Sequence, residues 1–246
     1  MTKFFTNTYP IINLHKKASA KSEIVTQMIY GEGFHVLKKT NKWLKIRIKE
    51  DNYIGFIHKK NYKTYIKPTH KINKLKAKIY KSPNKLKKIN IMTYGSKIRA
   101  IDKQSKFLKF EKGWINQNET KPISYKEKDP FKQMHIFKNI KYKWGGKSFK
   151  GIDCSALIQV FLNFNNKYCP RDAKDQVKYF KKNISLKNIK KNDLIYWKGH
   201  VALALSKKKL IHAYGPMKKT VIMNINHAIK KIEKTAKLKV LKIKRI

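Results

Sequence analysis

The stretch YKWGGKSFKGIDCSALIQVFLNF, from Tyr142 to Phe164, carries the most informative local pattern of the chain. Its first half holds three glycines, which permit tight turns, and Asp153 is a favourable helix N-cap. Apolar residues then recur at helical spacing, at Ala156, Leu157, Val160, Phe161 and Phe164. The sequence therefore predicts a loop that delivers Cys154 to the first turn of a helix.

Cys154 would gain reactivity from that position. A thiol must become a thiolate to attack a carbonyl, and the partial positive charge at a helix N-terminus favours this ionisation, as would a nearby imidazolium. Lone cysteines in cores are commonly inert. A cysteine in the first turn after a glycine-rich loop nevertheless favours the interpretation of Cys154 as a nucleophile.

A second element, KGHVALALSKKKLIHAYG, predicts an antiparallel hairpin with His200 and His212 on its two arms. Nucleophilic catalysis needs a base and a group that orients it, and these histidines could fill both roles. A turn centred on Lys207 and Lys208 would place His212 opposite Leu203, about 10 Å along the strand from His200. Spacing alone therefore leaves two structural histidines as an equal alternative.

The N-terminal half contains an internal repeat. IYGEGFHVLK from Ile29 matches TYGSKIRAID from Thr93, and KWLKI from Lys42 matches KFLKF from Lys106 at the same offset. Each copy alternates apolar and polar residues and ends on a Gly-aromatic-Ile step, which predicts short strands in a small barrel. Two copies of one module therefore precede the cysteine-containing region.

These patterns divide the chain into three predicted domains. Residues 1–68 form the first module and residues 69–120 the second, and residues 121–246 carry the candidate chemistry. The stretch ETKPISYKEKDP, residues 119–130, is polar, has two prolines and lacks periodicity, which predicts a linker.

The charge of the chain is extreme, with 60 Lys and Arg against 14 Asp and Glu and a formal net charge of +46. Arginine occurs only at Arg47, Arg99, Arg171 and Arg245. Because readers of base edges rely on arginine forks, sequence-specific nucleic-acid binding is disfavoured. The lysines are spread through every segment, which indicates a compositional bias rather than a basic binding patch. We expect no specific nucleic-acid partner.

The N-terminal residues lack an apolar run of signal-peptide length, and no stretch approaches the roughly 18 apolar residues of a membrane span. We expect a cytoplasmic monomer without a membrane partner. Cys154 and Cys169 are too few for a disulfide framework and lack the paired spacing of a zinc site, so we expect no metal and no other cofactor.

Residues 131–246 resemble the NlpC superfamily of papain-like cell-wall peptidases, through the WGG loop, Asp-Cys-Ser on a helix, Gly-His-Val and a later polar residue. The stretch SEIVTQMIYGEGFHVLKKTNKWLKIRIKEDNYIGFIHKKNY resembles bacterial SH3-type domains over residues 8–66, and residues 72–120 do so more weakly. The resemblance implies two small all-β SH3-like barrels followed by an α+β papain-like catalytic domain.

The resemblance also implies roles for individual residues. Cys154 becomes the nucleophile, His200 the general base and His212 the group that orients the imidazole. Tyr142 and the backbone N–H of Cys154 would line an oxyanion hole.

The chain departs from the family pattern at two positions. Ala156 stands where a glycine is usual, which packing can tolerate, and Ala173 stands where a hydroxyl residue is frequent. We expect the second departure to alter substrate contacts.

Paired SH3-type domains resemble the subgroup that splits the bond between γ-D-glutamate and a diamino acid, such as diaminopimelate, in murein peptides with a free N-terminal L-alanine. An ammonium group requires carboxylates, and Asp153, Asp172 and Glu32 are candidates. Tyr53 could add a wall and Ser155 a polar contact beside the nucleophile. For Glu32 and Tyr53 a turn glutamate and a strand tyrosine are the alternatives, and Asp153 also has its capping role.

Two interpretations from other classes stay open. SH3-type modules could make the chain a non-catalytic protein that binds wall fragments or a partner. Its charge alone could make it a polyanion-binding protein, which predicts steeply salt-dependent retention of DNA.

Overall fold

A computed structural model describes residues 3–83 and 87–246. The N-terminal unit is a seven-stranded antiparallel sheet in the order β3-β2-β6-β5-β4-β1-β7. Its strands are β1 (Phe4–Thr6), β2 (Ile11–His15), β3 (Ile24–Ile29), β4 (Gly33–Lys39), β5 (Trp43–Ile48), β6 (Ile54–His58) and β7 (Lys63–Thr64). Alternate apolar side chains point to one buried core, as the period of two predicts.

The middle unit divides its strands between two sheets, in the orders β10-β9-β14-β13-β12 and β11-β8-β15. These strands are β8 (His70–Ile72), β9 (Lys76–Tyr80), β10 (Lys88–Thr93), β11 (Lys97–Ile98), β12 (Asp102–Gln104), β13 (Phe107–Phe110), β14 (Gly113–Asn116) and β15 (Thr120–Pro122). The composition of residues 119–130 predicted a linker, but β15 pairs with β8 and so belongs to this unit. A second SH3-type barrel stays a prediction.

The C-terminal unit combines a six-stranded sheet, in the order β18-β23-β19-β20-β21-β22, with three helices. The strands are β16 (Lys147–Ser148), β17 (Gly151–Ile152), β18 (Lys182–Asn183), β19 (Leu194–Trp197), β20 (His200–Ala204), β21 (Lys209–Tyr214), β22 (Lys219–Asn224) and β23 (Lys242–Arg245), and β16 and β17 pair apart from the sheet. The helices are α1 (Cys154–Phe164), α2 (Ala173–Tyr179) and α3 (Ile225–Ala236). No helix within the described residues is long and apolar enough to span a membrane.

Two hydrophobic cores cover the faces of the six-stranded sheet. Helix α1 is buried along almost its whole length and packs with Val201, Leu203 and Ile211 on one face. Helix α3 packs on the other face through Ile225 and Ile232. A mixed α and β domain therefore follows the all-β units, as predicted.

The middle unit supports the C-terminal end of α1. Tyr94 stacks on Phe164 with ring centroids 4.7 Å apart. Lys71 is buried, and its ammonium donates to the carbonyls of Tyr125 and Phe164. The last carbonyls of a helix lack partners within the helix, so Lys71 of the middle unit caps a helix of the C-terminal unit.

The first and middle units meet at a close backbone contact. The amide of Lys97 donates to the carbonyl of Tyr30 at 2.9 Å, and Gly31 has a φ of +84°. A Cβ atom at Gly31 would lie 2.0 Å from the carbonyl oxygen of Lys97. Only glycine allows the two backbones to approach this closely.

We expect Gly31→Ala to lower the free energy of unfolding by about 2–4 kcal/mol, because the methyl group must displace backbone as well as adopt a positive φ. Gly95→Ala is the matched control, since Gly95 has a φ of +81° but a Cβ there meets only Ile29, at 3.5 Å. Gly95→Ala should lower the free energy of unfolding by only about 1 kcal/mol. Equal losses in urea titrations of the two variants would contradict the steric argument.

Candidate active site

Helix α1 begins at Cys154, as predicted, and Asp153 caps it. Asp153 has extended backbone, and its Oδ1 accepts from the amide of Ala156 at 2.9 Å. Its Oδ2 accepts from the amide of Gly145 at 2.9 Å, so the cap also fixes the glycine-rich loop. The thiol of Cys154 is therefore held at the junction of loop and helix.

Arg171 binds the capping carboxylate with a buried fork. Its Nη1 lies 3.0 Å from Oδ1 of Asp153, and its Nη2 lies 2.6 Å from Oδ2. Nη1 also donates to Oγ of Ser155 at 3.0 Å, and Nε donates to Oγ1 of Thr26 at 2.6 Å. Thr26 belongs to β3 of the first unit, so one guanidinium joins two domains at the nucleophile.

The role of Arg171 was not predicted from the sequence. A signal was present, because arginine is rare in a chain whose default cation is lysine. A lysine ammonium cannot make the bidentate contact with a carboxylate, which is a reason for arginine at this position.

The thiol of Cys154 is uncharged at neutral pH. Burial raises its pKa to about 12, and the charge of Asp153 adds to the effect. The amides of Val201 and Ser155 donate toward the sulfur and lower the pKa, as does the charge of Arg171, but these effects are smaller than burial. The sequence predicts that the helix N-terminus stabilises a thiolate, but this effect is smaller than the opposing effect of desolvation.

The hairpin brings the two histidines together, with Nε2 of His200 2.9 Å from Nδ1 of His212. The predicted register is wrong by one residue, since Leu203 pairs with Ile211 rather than with His212. The hydroxyl of Ser206 accepts from the amides of Lys208 and Lys209 and stabilises a longer loop than the predicted turn.

That single shift decides which face carries His212. Side chains alternate along a strand, so the predicted register would have placed His212 on the face opposite to His200. In the observed register His212 and His200 share a face and become diagonal neighbours within hydrogen-bonding reach.

Both imidazoles are neutral at neutral pH. Burial lowers the pKa of His200 to about 4. Burial, with a smaller contribution from His200, lowers the pKa of His212 to about 3. The ring of His212 stacks on that of Tyr214 at 4.7 Å with an interplanar angle of 9°.

A cleft with a volume of about 310 Å³ opens at Cys154 between the first and third units. The C-terminal unit contributes Trp144, Asp153, Cys154, Ser155, Arg171, Asp172, Ala173, Lys174 and Gly199 to its walls. The first unit contributes Lys16, Glu23, Val25 and Tyr53.

The predicted binding residues are brought together only in part. Tyr53 and Asp172 meet across the domain boundary, where the phenol donates to Oδ2 of Asp172 at 3.3 Å. Ser155 also lines the cleft, but its hydroxyl is bonded to Arg171 and Asp153. Asp153 has its charge matched by Arg171.

Glu32 was predicted to bind the substrate ammonium, but the structure places it outside the cleft. Its Oε1 lies 2.6 Å from Nζ of Lys147, its Oε2 accepts from the amide of Ile29, and both charged side chains are buried. Glu32 therefore ties the first unit to the third instead of facing a ligand. No sequence pattern predicts this pair, because Glu32 lies in a turn and Lys147 is far away in the chain.

Tyr142 lies close to the nucleophile. Burial raises the pKa of its phenol, and the charges of Cys154 and Asp153 add to this effect. Its amide donates to the carbonyl of Lys218 at 2.8 Å, and its ring lies against Gly215.

Comparison with known proteins assigns the two domains that form the cleft. The model of the NlpC/P60 family matches residues 139–237, and that of the bacterial dipeptidyl-peptidase SH3 domain matches residues 14–61. The chain therefore carries an NlpC/P60 domain behind a bacterial SH3 domain.

The NlpC/P60 assignment agrees with similar proteins along most of the chain. The γ-D-glutamyl-L-lysine dipeptidyl-peptidase of Bacillus subtilis is 27% identical over 233 residues, 84% of this chain and 77% of that protein. Dipeptidyl-peptidase 6 of Lysinibacillus sphaericus is 26% identical over 229 residues, 82% and 84% of the two chains. An NlpC/P60 family protein of Bacillus cereus has the same fold, with a TM-score of 0.82, 17% identity and 98% and 99% coverage.

Among the cleft residues that were not predicted as site residues, Glu23 contacts two others. Oε1 of Glu23 accepts from Nε1 of Trp144 at 2.9 Å, and its Oε2 pairs with Lys16 at 3.3 Å. This contact closes the rim of the cleft between the two domains. Within the described ranges, no group of three or more His, Cys, Asp or Glu side chains is placed to hold a metal ion.

We expect acid to destabilise the protein through His212. The unfolded imidazole protonates near pH 6.5, whereas the folded one stays neutral to about pH 3, so the unfolded state binds more protons between these values. Lowering the pH from about 7 to about 5 should lower the free energy of unfolding by about 2 kcal/mol through this residue. His212→Asn should show a shallower pH dependence in urea titrations, and identical slopes would contradict burial as the cause.

Proposed function

We propose that the chain is a cysteine endopeptidase that hydrolyses the bond between γ-D-glutamate and a diamino acid, diaminopimelate, in murein peptides with a free N-terminal L-alanine. Its role would be peptidoglycan recycling. The observation that carries the proposal is the cleft at Cys154, which the SH3 domain closes with Tyr53 and Glu23. A relative named γ-D-glutamyl-L-lysine dipeptidyl-peptidase supports the same bond class.

The chemistry begins with a neutral thiol and a neutral imidazole. His200 removes the proton of Cys154 as the sulfur attacks the γ-carbonyl carbon and forms a C–S bond. The negative charge moves to the carbonyl oxygen, which the amide of Cys154 and the phenol of Tyr142 would stabilise. The C–N bond then breaks, and His200 returns the proton to the leaving amine of the diamino acid.

The second half of the reaction releases the dipeptide. Water attacks the thioester carbonyl and gives its proton to His200, the C–S bond breaks, and the thiol regains that proton. The products are L-Ala-D-Glu and a peptide that begins with the diamino acid. The original thiol proton leaves on the amine and a proton from water replaces it, so the site regenerates its neutral pair.

Asp172 is the best candidate to receive the substrate ammonium. Within the described part of the chain, it makes no ion pair within 4.0 Å, and burial raises its pKa. The charges of Arg171 and Lys174 act on Asp172 only from beyond ion-pair distance. A half-buried carboxylate outside any ion pair gains from an ammonium ligand, whereas Asp153 already pairs with Arg171. Glu23 would stand at the rim of the same end of the cleft.

Incubation with L-Ala-γ-D-Glu-diaminopimelate should release L-Ala-D-Glu, detected by mass spectrometry, and Cys154→Ala should abolish the release. The N-acetylated tripeptide should resist cleavage, because acetylation removes the charge that Asp172 would bind. Asp172→Asn should raise KM for the free peptide about tenfold, as loss of a charge-assisted contact predicts. Intact free tripeptide after incubation with the wild type would refute the proposed function.

Lys174 offers a contact for the second charge of such a substrate. A γ-linkage leaves the α-carboxylate of D-glutamate free, and Lys174 lines the cleft beside Ala173. Among the described residues it makes no ion pair within 4.0 Å. We infer that Lys174 compensates for the hydroxyl group that Ala173 lacks.

Lys174→Ala should raise KM about threefold for the carboxylate substrate, the scale of a solvent-exposed ion pair. It should leave KM unchanged for the peptide in which that carboxylate is an amide. Lys178→Ala is the matched control, since Lys178 is exposed on the same helix but does not line the cleft. An equal effect on both peptides would exclude this contact.

A further inference from the structure

The paired histidines pose a tautomer problem. One hydrogen occupies the 2.9 Å contact between Nε2 of His200 and Nδ1 of His212. If His200 is to accept the thiol proton at Nδ1, its own hydrogen must sit on Nε2 and be donated to His212. The hydrogen of neutral His212 must then sit on its Nε2.

Nε2 of His212 faces a thioether. It lies 3.3 Å from Sδ of Met223, and a thioether accepts hydrogen bonds weakly and cannot donate them. The opposite tautomer would turn a nitrogen lone pair toward the sulfur lone pairs. Only the Nε2–H form of His212 makes a favourable contact at both ring nitrogens.

We propose that Met223 is a positioning residue, which selects the tautomer of His212 and thereby leaves Nδ1 of His200 free to accept the proton of Cys154. This inference rests on the proposed catalytic function. Met223 touches neither the thiol nor the substrate in this role. It acts through two successive hydrogen bonds.

Strand pairing supplies this contact. In the β21–β22 register His212 pairs with Val221 and Met223 pairs with Leu210, so Met223 is the diagonal neighbour of His212 on the same face. The thioether is half-buried and packs against the core beneath α3.

The other groups around His212 do not compete for its Nε2. Tyr214 stacks on the ring, and its hydroxyl lies 3.3 Å from Oγ1 of Thr235. His200 occupies the other nitrogen. Within the described residues no carboxylate makes a hydrogen bond or ion pair with His212, so the neutral sulfur of Met223 is the partner of its Nε2.

The test uses the full chain with ¹⁵N-labelled histidines at pH 7, where both rings are neutral. Long-range ¹H–¹⁵N spectra report the tautomer of each ring. In the wild type His212 should be the Nε2–H form, whereas Met223→Leu, which keeps the volume and removes the acceptor, should give a tautomer mixture. Met223→Gln restores an acceptor of similar shape and should restore the single form.

Kinetics on the murein tripeptide provide the second arm. Met223→Leu should lower kcat about fivefold with KM within about twofold, because it changes the base rather than the binding site. Met223→Gln should recover kcat, and Met134→Leu, a buried change in the same domain, should leave it unchanged. A wild-type Nδ1–H tautomer, or an unchanged tautomer and kcat in Met223→Leu, would overturn the proposal. If the wild type cleaves nothing, the spectra still decide the tautomer and only the proposed function fails.

Discussion

The arrangement of the active site depends on the buried fork between Arg171 and Asp153. Removing both charges from water is costly, and the pair is tolerated because each remaining polar atom is bonded. Asp153 accepts from the loop amide of Gly145 and the helix amide of Ala156, and Arg171 reaches Thr26 of the SH3 domain. Loss of either charge would leave the other buried and unpaired, and would loosen the loop, the helix and the domain contact together.

Both ends of helix α1 are consequently fixed by side chains that do not belong to the helix. Arg171 joins its first turn to the SH3 domain, and Lys71 of the middle unit caps its last carbonyls. Cys154 therefore occupies a position that three units define jointly. The two aspartates of the cleft differ in their charge partners: Asp153 is neutralised by Arg171, whereas Asp172 makes no ion pair within the described residues. The two carboxylates differ because only Asp153 makes an ion pair with the guanidinium.

Local chemistry made part of this site predictable from the sequence. The glycines, the capping Asp153 and the helical spacing sufficed to place Cys154 at a helix start, and alternation sufficed to find the hairpin. The contacts that could not be predicted from the sequence either join residues far apart in the chain or depend on a single hydroxyl group. Arg171 meets a threonine far away in sequence, Glu32 meets a lysine of another domain, and Ser206 shifts the hairpin by one residue. Such contacts leave no periodic pattern, so they appear only when the chain is folded.

Burial also changes how the nucleophile is activated. With the thiol pKa raised to about 12 and that of His200 lowered to about 4, proton transfer in the empty site would create two buried charges, so the neutral pair is the stable state. In the proposed reaction, proton transfer would become favourable when a carbonyl carbon lies against the sulfur, since the negative charge would pass to an oxygen that faces hydrogen-bond donors. A neutral thiol of this kind reacts little with stray electrophiles or oxidants, which attack thiolates. In the proposed reaction, selectivity would follow from the geometry that the SH3 domain imposes on the substrate, rather than from a thiolate that is already formed.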